Sequence, residues 1–148
     1  MEQIVRKRDI RDLTYAELAE IVSSCGQPAF RTKQLHEWIS VKNVCSFEEM
    51  TNLPKTLRAA LEEEYCFNTP KEIVKQVSHD GSRKYLLEFS DGVSVETVGM
   101  PTRNKLSVCV STQAGCGMGC AFCATGLSGL TRSLTAREIV DQVLHVSQ

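Results

Sequence analysis

Cys116, Cys120 and Cys123 stand at the spacing Cys-x3-Cys-x2-Cys, which places three thiols within eight residues. Thiolates this close can share one metal centre if the backbone folds tightly between them. Gly115, Gly117 and Gly119 supply that freedom, because glycine tolerates positive φ and close backbone approach. A structural zinc site takes four protein ligands, one more than this loop offers. A cubane 4Fe–4S cluster is held by cysteine thiolates, and three of them leave its fourth iron open for chemistry. Two other uses stay open on spacing alone. Cys109 could add a fourth sulfur for a zinc-binding module, although it falls in mid-strand and zinc knuckles pair two short Cys-x2-Cys turns. Cys120-Ala-Phe-Cys123 could act as a thiol redox pair, although the order of elements around it is not thioredoxin-like.

The elements that must position this loop are legible on both sides of it. Leu106 to Ser111 reads as a strand, with Leu106, Val108 and Val110 on one face and Ser107, Cys109 and Ser111 on the other. The second face is small and polar, which suits a cavity better than a packed core. After the loop, Thr135-Ala-Arg-Glu138 is a capping box for a helix carrying Ile139, Val140, Val143 and Leu144. Strand, functional loop and helix make the first unit of an α/β barrel, whose chemistry sits on loops at the C-terminal ends of strands. Parallel barrel strands need neighbours on both sides. The chain is therefore expected to stop in mid-domain, as an N-terminal fragment inactive alone, with the segment from Leu106 onward its poorest candidate for independent folding.

Upstream, Asp80-Gly81 and Asp91-Gly92 lie between runs rich in Val, Ile, Leu, Tyr and Phe, a strong hairpin signal. Strands near 72–78, 83–89 and 93–100 are predicted to form an antiparallel meander, with Tyr85, Leu87 and Phe89 on one face. Within it, Glu96 is a carboxylate in an apolar strand, which is unfavourable unless the group is partnered. Residues 14–66 read as three short amphipathic helices. Thr14-Tyr-Ala-Glu17 caps the first, which carries Leu18, Ile21, Val22 and Cys25 and ends at Gly26. The second follows Pro28 and presents Leu35, Trp38 and Ile39; Ser46-Phe-Glu-Glu49 caps a short turn; the third starts at Pro54 and presents Leu57, Ala60 and Leu61. The fold class is α/β, with a helical unit over 1–68, a meander over 69–104 and the start of a barrel over 105–148.

Composition sets the outer bounds. The 148 residues are 42% hydrophobic and 24% charged, ordinary for a globular chain, and the net charge of −1 makes no bulk electrostatic case for nucleic acid. No run of 18 apolar residues is present to span a membrane, and the first residues lack the apolar core of a signal peptide, so an intracellular location is expected. In a reducing compartment the seven cysteines are thiols or metal ligands, and Cys25, Cys45 and Cys66 read as small core or partly buried hydrophobes. The short clusters Arg6-Lys7-Arg8 with Arg11, and Arg31 with Lys33, could meet phosphates but suit a solvated surface equally well.

Phe122, just before Cys123, makes the cysteine triplet resemble the signature of radical S-adenosylmethionine (SAM) enzymes. Val95-Glu-Thr-Val-Gly-Met-Pro101, Leu106 to Cys116 and Ala124-Thr-Gly126 sharpen the likeness to the dual-specificity rRNA/tRNA adenine methyltransferases of the RlmN type. Phe30 to Ile39 and Glu48 to Leu53 are similar to that family's helical accessory domain. The resemblance implies that Cys116, Cys120 and Cys123 hold a 4Fe–4S cluster with SAM on the open iron, and that Phe122 lies against the SAM adenine. It implies methylation of carbon 2 of an adenine in 23S rRNA and tRNA, through a methyl group carried on a cysteine near the family's C-terminus. Glu96 then corresponds to the proton acceptor, and Cys109 to the cysteine that resolves the protein–RNA adduct through a transient disulfide. The implied setting is the cytoplasm, or an organelle interior in a eukaryote, with flavodoxin or ferredoxin as electron donor, no membrane, and a monomer at full length. The alternative that the resemblance implies is the related resistance enzyme, which methylates carbon 8 of an rRNA adenine. The methyl-carrying cysteine and most SAM-binding motifs of the family fall beyond Gln148.

Overall fold

Two compact units divide the chain, Met1–Asn68 and Thr69–Gln148. The computed structural model describes residues 7–148, so Arg6 of the first basic cluster lies outside the described residues.

In the first unit, three helices form where the apolar periodicity places them: α1 Tyr15–Ser24, α2 Phe30–Ser40 and α3 Lys55–Glu64. The capping box at Thr14 is complete. The Thr14 hydroxyl accepts from the Glu17 amide, and the Glu17 carboxylate accepts from the Thr14 amide at 2.7 Å. The Thr14 amide and hydroxyl and the Arg8 guanidinium together hold the Glu17 carboxyl down to about 2. Gly26 takes a left-handed φ of 66° just past α1, as a helix terminator does. Pro54 immediately precedes α3 as its N-cap. The apolar faces close on one cluster that includes Ile10, Leu18, Leu35, Met50, Leu57 and Leu61, each 0–1% exposed.

A feature with no local signal ties the ends of this unit together. Strand β1, Arg8–Asp9, pairs in parallel with β2, Tyr65–Cys66. Asp9 is buried and accepts from the Arg11 side chain, from the Arg11 amide and from the Asn68 amide. Arg11 is thus turned inward, its side chain 2% exposed, rather than joining Lys7 and Arg8 in a phosphate-facing cluster.

The second unit is a sheet with a loop and a helix. Strands β3 Lys71–Val77, β4 Arg83–Glu88, β5 Ser94–Thr102 and β6 Lys105–Cys109 form an antiparallel sheet in sequence order. Both Asp-Gly turns behave alike: Gly81 and Gly92 have φ near +84°, and the preceding Asp80 and Asp91 accept from the amides of Ser82 and Val93. Tyr85, Leu87 and Phe89 alternate onto the buried face, as expected. The strand read as the opening of a parallel barrel is instead β6, the fourth strand of the meander. A tight turn after Thr102 sends it back along β5, in the register Val98 opposite Cys109 and Thr102 opposite Lys105. An antiparallel return needs only such a turn, whereas a parallel neighbour needs a long crossover.

Helix α5, Ala136–Val146, starts at a complete capping box formed by Thr135 and Glu138. Its buried positions are Asp141, Gln142 and Val146, while Val140 and Val143 are 46% and 40% exposed. Val146 packs with Tyr85 and Leu87 over Gly99, where an added Cβ would meet Val146 Cγ1 at 2.4 Å. Arg132 links three segments, donating to Asp91 and to both carboxylate oxygens of Glu138. Among the described residues no helix is long and apolar enough to cross a membrane.

Candidate functional site

The cysteine loop hangs from a small hairpin. Strands β7, Gln113–Gly115, and β8, Leu130–Ser133, pair antiparallel, and the Cys116 amide donates to the Gly129 carbonyl at 2.9 Å. Gly115 makes that closure possible. Its φ is +76°, and a Cβ there would stand 1.9 Å from the Gly129 oxygen. Gly119 also takes positive φ and Gly117 does not. Beyond the hairpin, the Cys123 amide donates to the Cys120 carbonyl at 3.1 Å, and Cys123 caps the four-residue helix α4, Ala124–Leu127. The backbone amides of Gly126 and Thr125 lower the Cys123 thiol below its ordinary value by favouring the thiolate, against a smaller opposing effect of burial.

Cys116, Cys120 and Cys123 are each half-buried. Among the described residues no three His, Cys, Asp or Glu side chains are gathered as they would be around a metal ion. The donor chemistry nonetheless fits an iron–sulfur cluster: three thiols on one short loop, both ends of it held by the β7–β8 hairpin, one thiol biased toward its ligating form. All seven cysteines are free thiols, so this structure gives the expected disulfide no support, and Cys109 stands exposed at the end of β6. Phe122 is 94% exposed and plugs nothing beneath the loop.

Glu96 and Cys109 are brought onto one face of the sheet. Val98 lies opposite Cys109, and Glu96 is two residues before Val98, so all three point the same way, away from buried Val95 and Thr97. Glu96 is exposed and its Oε1 lies 3.0 Å from Lys84 Nζ, which is the partner its strand position calls for. Beside it opens a cleft of about 710 Å³, whose walls include Leu86, Glu96, Ser111, Gln113, Thr125 and Thr131. Of the small polar face read from Ser107, Cys109 and Ser111, only Ser111 lines this cleft. The cleft joins the sheet to the segment that follows the third cysteine.

Sequence reasoning passed over Gln142. It is fully buried, its Oε1 accepts from the Ser111 amide at 2.8 Å, and its Nε2 donates to the Ser111 carbonyl at 2.9 Å. The only available signal was a polar residue in register with Val146, four positions on.

The family model for the ribosomal RNA large subunit methyltransferase N-terminal domain matches residues 8–67. A "Probable dual-specificity RNA methyltransferase RlmN" from Geobacillus thermodenitrificans is 48% identical over 146 residues, 99% of this chain and 40% of the relative. A "Dual-specificity RNA methyltransferase RlmN" from Sulfurovum sp. is 47% identical over 150 residues, 93% of this chain and 41% of the relative. The crystal structure of a radical SAM methyltransferase from Sphaerobacter thermophilus superposes with a TM-score of 0.79 at 41% identity, covering 94% of this chain and 41% of that one. The chain thus spans about two-fifths of the length of the curated relatives it matches. With helices, meander and cysteine loop all inside the matched region, the chain matches an RlmN-type N-terminal part and is similar in structure to a radical SAM methyltransferase.

Proposed function

We propose that this chain is the cluster-binding and accessory part of an RNA methyltransferase that methylates carbon 2 of an adenine in 23S rRNA and in tRNA through a methyl-cysteine intermediate. The observation that carries the reading is the Cys116, Cys120, Cys123 loop, anchored on its hairpin next to a cleft that Glu96 borders. These three thiols would hold the 4Fe–4S cluster, with Phe122 against SAM. A reduced cluster with SAM bound supplies one-electron chemistry that the side chains of this chain cannot. What the chain itself contributes is placement and proton handling. The Cys123 thiol is already biased toward thiolate. Glu96 takes a proton at its carboxylate beside Lys84, and Cys109, a free thiol on the same face, resolves the enzyme–RNA adduct. The helical unit positions RNA, and Lys7, Arg8 and Lys33 are its exposed cations for phosphate. A small electron-transfer protein such as flavodoxin or ferredoxin supplies the electron.

Two measurements test this. Anaerobic reconstitution of the chain is expected to give the broad visible absorption of an iron–sulfide centre. Alanine at Cys116, Cys120 or Cys123 abolishes it, and alanine at Cys25, Cys45 or Cys66 does not. Stoichiometric zinc without iron or sulfide would refute the cluster. In a protein of the relatives' full length, Cys109→Ala is expected to accumulate a covalent enzyme–RNA species on a denaturing gel. Normal turnover by that variant would remove Cys109 from the mechanism.

A further inference from the structure

The β5–β6 ladder stops at the pair Val98–Cys109, so the next residues of β6 leave the sheet without backbone partners from β5. Three side chains take over. The Thr97 hydroxyl donates to the Cys109 carbonyl at 2.7 Å, and the Ser111 hydroxyl donates to the Glu96 carbonyl at 2.6 Å. Gln142 of α5 then holds both backbone groups of Ser111 and returns a bond to its own helix at the Glu138 carbonyl. A buried primary amide is unfavourable unless satisfied, and here its oxygen and both its protons are bonded. This is a strand-like pairing made by a side chain, 31 residues distant in sequence.

We propose that Gln142 is a positioning residue. By clamping Ser111 it fixes the direction in which the chain leaves Cys109 toward the cysteine loop, and through the Ser111 hydroxyl it keeps Glu96 and Cys109 in one register on the open face. The assignment of reactive roles to Glu96 and Cys109 rests on the function proposed above; the clamp itself does not.

The test is amide exchange and backbone order parameters by NMR on the 148-residue chain. Gln142→Met keeps much of the volume and removes both bonds to Ser111 together with the one to the Glu138 carbonyl. Gln142→Glu keeps an acceptor for the Ser111 amide and loses the donor to its carbonyl. In Gln142→Met, exchange at Ser111 should accelerate roughly tenfold or more, the scale of losing a buried hydrogen bond. Order parameters should fall over Cys109–Gln113, with β4, β5 and α5 unchanged. Gln142→Glu should retain more protection at Ser111 than the methionine variant and still loosen Cys109–Gln113. Unchanged exchange in both variants would overturn the inference, and so would loss spread evenly through α5 and the sheet, the mark of an ordinary core residue. Neither readout involves a cluster. A wild-type chain that takes up no iron would therefore count against the proposed function alone.

Discussion

The helical unit and the sheet–loop unit are held together by different means. In the helical unit one continuous cluster, from Ile10 through Leu35 to Leu61, excludes water, and a buried carboxylate–guanidinium pair closes its end. In the sheet–loop unit the apolar contacts fall into two small groups, Phe89 with Val95, Ala114 and Leu134, and Tyr85 with Leu87 and Val146. The cysteine loop meanwhile exposes Met118, Phe122 and Leu127 by 75–94%. Polar side-chain bonds from Gln142, Arg132, Thr97 and Ser111 set the geometry around that loop. One unit is built for burial. The other holds its cysteine loop at a surface, using directional bonds where a core would leave no access.

Six substitutions can break or sharpen this contrast, starting with the largest effect. Leu35→Ala in the helical core should destabilise by about 2–5 kcal/mol. Leu106→Ala, on a side chain 45% exposed, should cost about 1 kcal/mol or less. Urea denaturation that gave equal losses would erase the distinction. Asp9→Ala should lower the stability of the helical unit on the order of 3 kcal/mol, since Arg11 loses its buried carboxylate. The pH dependence has a definite sign. Burial raises the Asp9 carboxyl, but hydrogen bonds from the Arg11 side chain and from the Arg11 and Asn68 amides outweigh it and hold the group below its ordinary value. A carboxyl depressed by folding contributes stability above its unfolded value of about 4, and loses it as pH falls through the lower folded value. Acid titration should show that decline in the wild type and a flatter profile in Asp9→Ala.

Gly99→Ala probes the sheet–loop unit through its tightest helix–sheet approach. The new methyl meets Val146 Cγ1, and thermal unfolding should report about 1–3 kcal/mol of overpacking, confined to the second unit. A smaller effect is expected from Thr135→Ala, about 1 kcal/mol, through loss of the α5 cap. Thr14→Ala should lose a similar amount in α1, because the two capping boxes are built alike. A much larger loss at Thr135 would show that α5 depends on its cap more than the packed helical unit does.

The features legible in the chain alone are those whose partners lie within a few residues. The capping boxes at Thr14 and Thr135, the two Asp-Gly turns and the apolar faces of α1, α2 and α3 are local patterns that form as read, whereas α5 buries Asp141, Gln142 and Val146 and leaves Val140 and Val143 exposed. The Cys-x3-Cys-x2-Cys loop also carried the family, because thiol spacing and flanking glycines constrain chemistry directly. Tertiary structure decided what depends on distant partners. It joined Arg8–Asp9 to Tyr65–Cys66, turned Arg11 inward, sent β6 back along β5, and spent a buried glutamine on the backbone of Ser111. Asp9 is only two residues from Arg11, but its burial depends on the distant Tyr65–Asn68 segment, and nothing near Gln142 in the chain points to Ser111. The meaning of both side chains comes from burial and from backbone groups that only the folded chain supplies.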